Sequence, residues 1–364
     1  MVGTVESVDD PSNIRLEPRL GAAVRYSIAQ NGPFLLLVVA YILLWNGWRI
    51  ASAGSYQVQL FNRQFFTASL AFICLSCLIR LLYLLVRKVP KRPLVEARNV
   101  LRRDVPYLIL GMPILLVIPA FFDAFGQIKG AMHLWIPIYA DPYLVQIDRW
   151  IFPKDAWSAF SLILNSRVAV IVLDRMYILW FLVMYCSIFV AAFMAKNPER
   201  RFCFFMTYFI SWVFLGNLCA VVFDSAGPCF YSYFYHEEIF QYLCQRLQYL
   251  NDAGPQLIVI GAQKYLLDHH QNGGDAFGEG ISAFPSMHVA MAALIAMFFY
   301  DINRVIGAMA ILFCAIIFIG SIVLGWHYAI DGIVSMFAVP IFWRLSKRLW
   351  ARSPMSSVQM WADV

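Results

Sequence analysis

Long apolar runs, broken by short charged stretches, dominate the chain, and eight of them approach the length needed to cross a bilayer. They cover residues 33–49, 65–86, 105–122, 168–194, 202–223, 284–300, 305–324 and 327–342. A spanning helix needs about 20 predominantly apolar residues, fewer where one end is sunk into protein. Two stretches between the runs are different. Residues 130–160 are interrupted by Pro137, Asp141, Pro142, Asp148, Arg149 and Pro153, and carry Trp135, Tyr139, Tyr143, Trp150 and Trp157. Such a segment cannot span, but its aromatic residues suit the boundary between water and lipid, which predicts a pair of interfacial helices. Residues 224–282 read as a long loop with Gly273, Gly274, Gly278 and Gly280 near its end, a flexible approach to the sixth run.

Basic residues orient the spans. Arg87, Lys88, Lys91, Arg92, Arg98, Arg102 and Arg103 follow the second run, and Lys196, Arg200 and Arg201 follow the fourth. Arg304 follows the sixth, and Arg344, Lys347, Arg348 and Arg352 follow the eighth. All fall on one side when both termini are cytoplasmic, as the excess of Lys and Arg in cytoplasmic loops requires. The first thirty residues, with Glu6, Asp9, Asp10, Arg15, Glu17, Arg19 and Arg25, lack a cleavable apolar core, so the first run is expected to be a retained span. The expected organisation is a cytoplasmic segment over 1–32 and N-terminal transmembrane helices over 33–123. A catalytic transmembrane domain over 124–345, with 224–282 as its outer cap loop, and a cytoplasmic tail over 346–364 complete it.

Composition agrees. Of 364 residues 61% are hydrophobic and only 14% charged, against about 25% charged in soluble domains. The net charge of +6 is accounted for by topology and calls for no nucleic-acid partner. There is no internal repeat. The fold class is an all-α integral membrane protein.

Against this background the six histidines stand out. His288 ends Ala283-Phe284-Pro285-Ser286-Met287-His288, at the start of the sixth run. His327 opens His327-Tyr328-Ala329-Ile330-Asp331, at the start of the eighth. The seventh run returns the chain to the side it left, so both histidines are expected at one non-cytoplasmic surface. Asp331, four residues after His327, shares its face on a helix. A neutral imidazole held by a carboxylate through its other nitrogen is a nucleophile towards phosphorus, and a second histidine can protonate the leaving alkoxide. Ser286 and the first N–H groups of the sixth helix form an anion site. The bland alternative is two interfacial histidines satisfied by backbone.

Other candidates are less specific. Asp174 and Arg175 lie inside the fourth run, where charges are costly and by default paired or functional; Arg175 is a candidate phosphate contact. Lys264 and Arg246 are candidate headgroup contacts, and Asp224 a candidate for orienting a hydroxyl acceptor. His269 and His270 lack companions at zinc-like spacing, so no metal and no cofactor is expected. Of eight cysteines, Cys229 and Cys244 share the outer segment. They are expected to pair in an oxidising compartment, two free thiols being the alternative.

At these residues the chain resembles the type 2 phosphatidic acid phosphatase superfamily, most of all its inositol phosphorylceramide synthase-like branch. Pro285-Ser286-Met287-His288 is similar to the signature Pro-Ser-Gly-His, and Phe284–His288 to the branch's Phe-Pro-Ser-aliphatic-His. His327–Asp331 resembles the final His-x-x-x-Asp. Residues 224–231 resemble loosely the segment after the preceding span. The likeness runs over about 130–345. Two elements are missing: the Lys-x6-Arg-Pro signature, for which Arg92-Pro93 is a cytoplasmic decoy, and an arginine where the chain has Gly320-Ser321. The resemblance implies a six-helix phosphatase-like core and a phosphohistidine on His327, with His288 as acid and Asp331 as orienter, and no metal. The expected reaction moves a phosphorylated headgroup from a glycerophospholipid to a lipid alcohol such as ceramide. The alternatives are a lipid phosphate or diphosphate phosphatase that uses water, and, in another class, a transporter or non-catalytic scaffold.

Overall fold

The computed structural model describes residues 20–53, 93–132, 135–272 and 280–353, and among them every regular element is helical. The chain runs through α1 (Leu20–Ala53), α2 (Pro93–Ala131), α3 (Asp141–Ile151), α4 (Ser161–Asn165), α5 (Arg167–Ala192) and α6 (Pro198–Val222). It continues through α7 (Tyr231–Tyr235), α8 (Gln241–Asp252), α9 (Ile258–Asn272), α10 (Met287–Ile302), α11 (Arg304–Val323) and α12 (Ala329–Arg352).

Six helices are long and apolar enough to cross a membrane: α1, α2, α5, α6, α11 and α12, each over all or part of its length. The expected count of eight is not reached among the described residues. The 65–86 run lies outside them. The 284–300 run forms α10, whose 16 residues fall short of a full span. The shortness of α10 has a physical counterpart in its position. Val289, Ala290, Met291, Ala292, Leu294 and Phe298 are all buried, and a helix apolar on every side belongs inside the protein rather than against lipid. Its alanines let α11 and α12 approach closely. A Cβ at Gly332 of α12 would meet the Phe318 ring at 2.5 Å and Val289 at 3.3 Å.

Aromatic packing joins α2 to α6. Trp212 meets Phe122 and Phe125 edge-on at 4.9 Å each, and Phe121 meets Phe209 edge-on at 5.1 Å, the arrangement the ring quadrupole favours. Within α6, residues Ser211–Cys219 are π-helical. That wider turn holds Gly216 where an added Cβ would lie 2.9 Å from the Phe125 ring and 3.3 Å from Met287 Sδ. Single π-helical insertions of this kind gather at functional sites.

The two ends of the bundle differ. One end carries basic groups: Arg200 and Lys347 pair with Asp301. Arg201, fully buried, donates to the Asn31 side chain and to the Leu110 and Ala192 carbonyls. The other end carries both histidine motifs. It is covered by a layer of short helices where a long loop was expected at 224–282. The reason is legible in α8, where Leu243, Leu247 and Leu250 recur at helical spacing and are all buried. Where a pair of interfacial helices was expected over 130–160, the described residues form one amphipathic α-helix, α3, followed by a short 3-10 turn at Ala156–Phe160. α3 buries Leu144 and Val145 and leaves Tyr143 and Trp150 exposed.

Candidate active site

α10 and α11 form an antiparallel hairpin, so the start of α10 and the start of α12 meet at the same end. The Ser286 N–H donates to the Asp331 carbonyl at 3.2 Å, and the His288 and His327 rings lie 6.3 Å apart, centroid to centroid. Two motifs 39 residues apart are one constellation.

His327 sits in the turn between α11 and α12. Its Nδ1–H donates to Asp331 Oδ2 at 3.2 Å, and the same oxygen accepts the Tyr328 N–H at 3.0 Å. That second bond caps α12 and fixes the carboxylate, which in turn fixes the imidazole tautomer with the proton on Nδ1. Burial pushes the His327 pKa down to about 3, so the ring is neutral and nucleophilic throughout the physiological range. His288 is held differently. It stacks on Tyr177 (4.4 Å, 21°) and leans on Trp180 at 4.3 Å, while the Trp180 indole N–H donates to the His288 carbonyl at 2.9 Å. Two aromatic residues of α5 therefore fix the ring and its backbone.

Several buried polar atoms here make no hydrogen bond among the described residues: Ser286 Oγ, Asp331 Oδ1, the Tyr177 hydroxyl and the Trp326 indole N–H. Buried polar groups are nearly always satisfied, and these lie beside the two histidines. Ser286 is the N-cap residue of α10 without capping it through its side chain. Its hydroxyl and the helix N-terminus are thus both open to an anion.

α3 supports this arrangement through two carboxylates that the sequence reading took only as interruptions. Asp141 Oδ1 accepts from the Gly227 N–H (2.7 Å) and the Tyr328 hydroxyl (2.8 Å). Its Oδ2 accepts from the Ala226 N–H (2.9 Å) and the Tyr235 hydroxyl (3.0 Å). Asp148 accepts the N–H groups of Ala329 and Ile330 at 2.8 Å each, and so caps the helix that bears Asp331. The two are seven residues apart, two helical turns, on the buried face; that spacing was the available signal. Gly227, at φ 88°, belongs to the same junction: a Cβ there would lie 2.5 Å from the Trp326 carbonyl oxygen. Replacing Asp148 by Ala is expected to cost about 1–2 kcal/mol as a lost cap. It should also lower turnover by loosening Asp331, which thermal melts and lipid assays on the same preparation would read.

The remaining candidates have other partners. Asp174 accepts the N–H groups of Ile258 (3.1 Å) and Val259 (2.8 Å) at the start of α9, and the Arg175 guanidinium at 2.8 Å. Arg175 also donates to the Gln256 carbonyl. Its hydrogen bonds thus go to Asp174 and Gln256, not to either histidine. Lys264 is exposed on α9, and Arg246 donates to the Asn165 carbonyl. Cys229 and Cys244 are both free thiols; Cys229 is tied by its N–H to the Gly325 carbonyl.

Asp224, by contrast, lies within the constellation. Its carbonyl accepts the N–H groups of Tyr139 and Ala140, and the neighbouring Ser225 accepts from the Phe284 N–H through its hydroxyl and from the Ala283 N–H through its carbonyl. Burial, reinforced by the Asp141 charge, pushes the Asp224 carboxyl up to about 7. Lys129, in the last turn of α2, was not singled out from the sequence, yet it interacts electrostatically with Asp224, His288 and His327.

A family model described as the PAP2 superfamily matches residues 142–345. No curated protein and no solved structure matches the chain.

Proposed function

The chain belongs to the PAP2 superfamily, and from that premise we propose that it is a membrane phosphotransferase that forms a phosphohistidine on His327. The observation that carries this reading is the His327–Asp331 hydrogen bond with His288 set 6.3 Å away. The Nε2 lone pair of His327 attacks the phosphorus of a lipid phosphoester. As the N–P bond forms, the P–O bond to the lipid alcohol breaks, and the departing oxygen takes the electron pair and a proton from His288, which burial and His327 hold below the usual imidazole range and which takes up that proton together with the anionic lipid phosphate. The acceptor hydroxyl then attacks the phosphohistidine and returns a proton to His288, and His327 leaves. The α10 N-terminus and Ser286 stabilise the phosphoryl oxygens as charge builds on them.

The acceptor we propose is a lipid alcohol and the donor a glycerophospholipid, as in the inositol phosphorylceramide synthase-like branch. The burial of Ser286 and Asp331, with His327 only 8% exposed, supports transfer over hydrolysis because little of the site is open to bulk water. The apolar faces of α3, led by Trp150, suit lateral entry from the bilayer. The cluster of basic residues at the opposite end supports a non-cytoplasmic site with both termini cytoplasmic.

The test is to incubate the purified protein in vesicles with a headgroup-labelled phospholipid and a candidate lipid alcohol, then separate the products. A labelled product lipid dependent on the added alcohol is the expected result. Release of free phosphate or water-soluble headgroup alone would replace transfer by the phosphatase reading.

A further inference from the structure

We propose that Asn217, in the π-helical segment of α6, binds the acyl carbonyl of the acceptor lipid and so selects lipid alcohols that carry a carbonyl near the hydroxyl. The inference rests on the lipid-transfer reading above and names a determinant of its second substrate. Asn217 is 7% exposed. Its side-chain oxygen is already engaged, because the Tyr41 hydroxyl of α1 donates to Oδ1 at 2.5 Å. Its Nδ2 is buried and makes no hydrogen bond among the described residues. A tie between α1 and α6 explains the first of these facts and leaves the second unexplained. Burying an amide N–H without an acceptor is costly, most of all at membrane depth, where no water can take the partner's place. The acceptor that a molecule soluble in hydrocarbon brings to that depth is an acyl carbonyl.

Asn217 stands between the histidine site and the bilayer. On one side its neighbour Gly216 lies against α10: a Cβ there would be 3.3 Å from Sδ of Met287, the residue before His288. On the other side Phe214, Leu218 and Val222 recur every four residues and are all exposed, which makes a lipid-facing stripe. The stripe runs outward to Phe223, whose ring meets Phe284 edge-on at 5.5 Å. Phe284 is two residues before Ser286. A lipid chain lying along the stripe therefore has its polar end close to both the Asn217 amide and the start of α10. Tyr41 makes the amide selective. With Oδ1 occupied, the carboxamide is held against turning and presents its N–H donors to the ligand. A ligand without a carbonyl leaves that donor buried and unpaired, and this asymmetry is the source of discrimination.

Acceptor preference of the full-length protein in vesicles is the measurement. Two acceptors are compared with a headgroup-labelled glycerophospholipid as donor. One is an N-acyl long-chain amino alcohol; the other is a long-chain alkanol, which has the hydroxyl without the carbonyl. Asn217→Leu, similar in size, is expected to raise the KM of the N-acyl acceptor about 5- to 10-fold, the worth of one neutral hydrogen bond. The KM of the alkanol should stay within about twofold. Tyr41→Phe, which lets the amide turn, should raise the N-acyl KM by about two- to threefold. Ser187→Ala, whose buried hydroxyl is bonded within α5, should move neither. Where Asn217→Leu is not monodisperse, Asn217→Met replaces it. An equal loss for both acceptors would mark Asn217 as a structural tie and overturn the assignment. An unchanged N-acyl KM, or a rise in the KM of the donor instead, would overturn it too. A wild type that forms phosphohistidine and releases headgroup, yet makes no product from either alcohol, would overturn the transfer reading itself and this assignment with it.

Discussion

His327→Ala abolishes lipid turnover, by on the order of 10⁴-fold or more, while leaving a folded protein. The size of the effect follows from covalent catalysis: removing the atom that forms the intermediate removes the pathway, and the losses measured for such nucleophiles reach that scale. The fold survives because the Asp331 carboxylate, the main partner of the His327 ring, keeps its second partner, the Tyr328 N–H, in the variant. Asp331→Asn separates the two roles. Its amide can still accept from one donor, but it no longer stabilises the Nδ1–H tautomer, and a loss approaching the same order is expected from the corresponding change in other histidine–carboxylate pairs. Acid-labile, base-stable phosphate trapped on the protein from labelled lipid is the direct reading. Label retained at wild-type level in His327→Ala would reassign the nucleophile.

The histidine motifs were legible in the sequence because each is local. An apolar run begins at each, and Asp331 follows His327 at i+4, close enough for a carboxylate in the first turn of α12 to reach back to the imidazole. Their meeting was legible from one further step, that the 305–324 run reverses the chain. Side-chain partners between distant segments were not legible in this way. Nothing near Asp174 in the sequence says that it accepts the Ile258 and Val259 N–H groups. A charge inside an apolar run reads equally as function or as structure until its partner is seen. Lys129 fails for the opposite reason. It sits at the end of a span, where a basic residue is ordinary, and only the fold brings that end of α2 against Gly280, ahead of the Ala283–Ser286 segment. The helical cap was hidden by composition: α8 is polar on average, and only the spacing of Leu243, Leu247 and Leu250 betrays it.

Two buried carboxylates at this end should respond in opposite ways to the same substitution. Asp141 accepts four hydrogen bonds, from two backbone N–H groups and two tyrosine hydroxyls. Asp141→Ala strands all four donors, at a cost of about 3–5 kcal/mol, and releases Tyr328, the neighbour of His327. Asn is no remedy. One of its two positions becomes an NH₂ group facing a donor, either the Gly227 N–H with the Tyr328 hydroxyl or the Ala226 N–H with the Tyr235 hydroxyl. Either hydroxyl can turn to accept, but the backbone N–H cannot, so Asp141→Asn should fall close to Asp141→Ala in thermal unfolding. Beside the Asp224 carboxylate stands only one donor among the described residues, the Ser225 N–H, which an amide oxygen can still accept, so Asp224→Asn should leave the melting temperature nearly unchanged while altering the pH profile. Detergent-solubilised variants compared by intrinsic-fluorescence melts decide the matter. Equal stability of Asp141→Asn and wild type would mean that α3 does not carry the site through this carboxylate. The tethering would then fall to Asp148 and its two bonds to the start of α12.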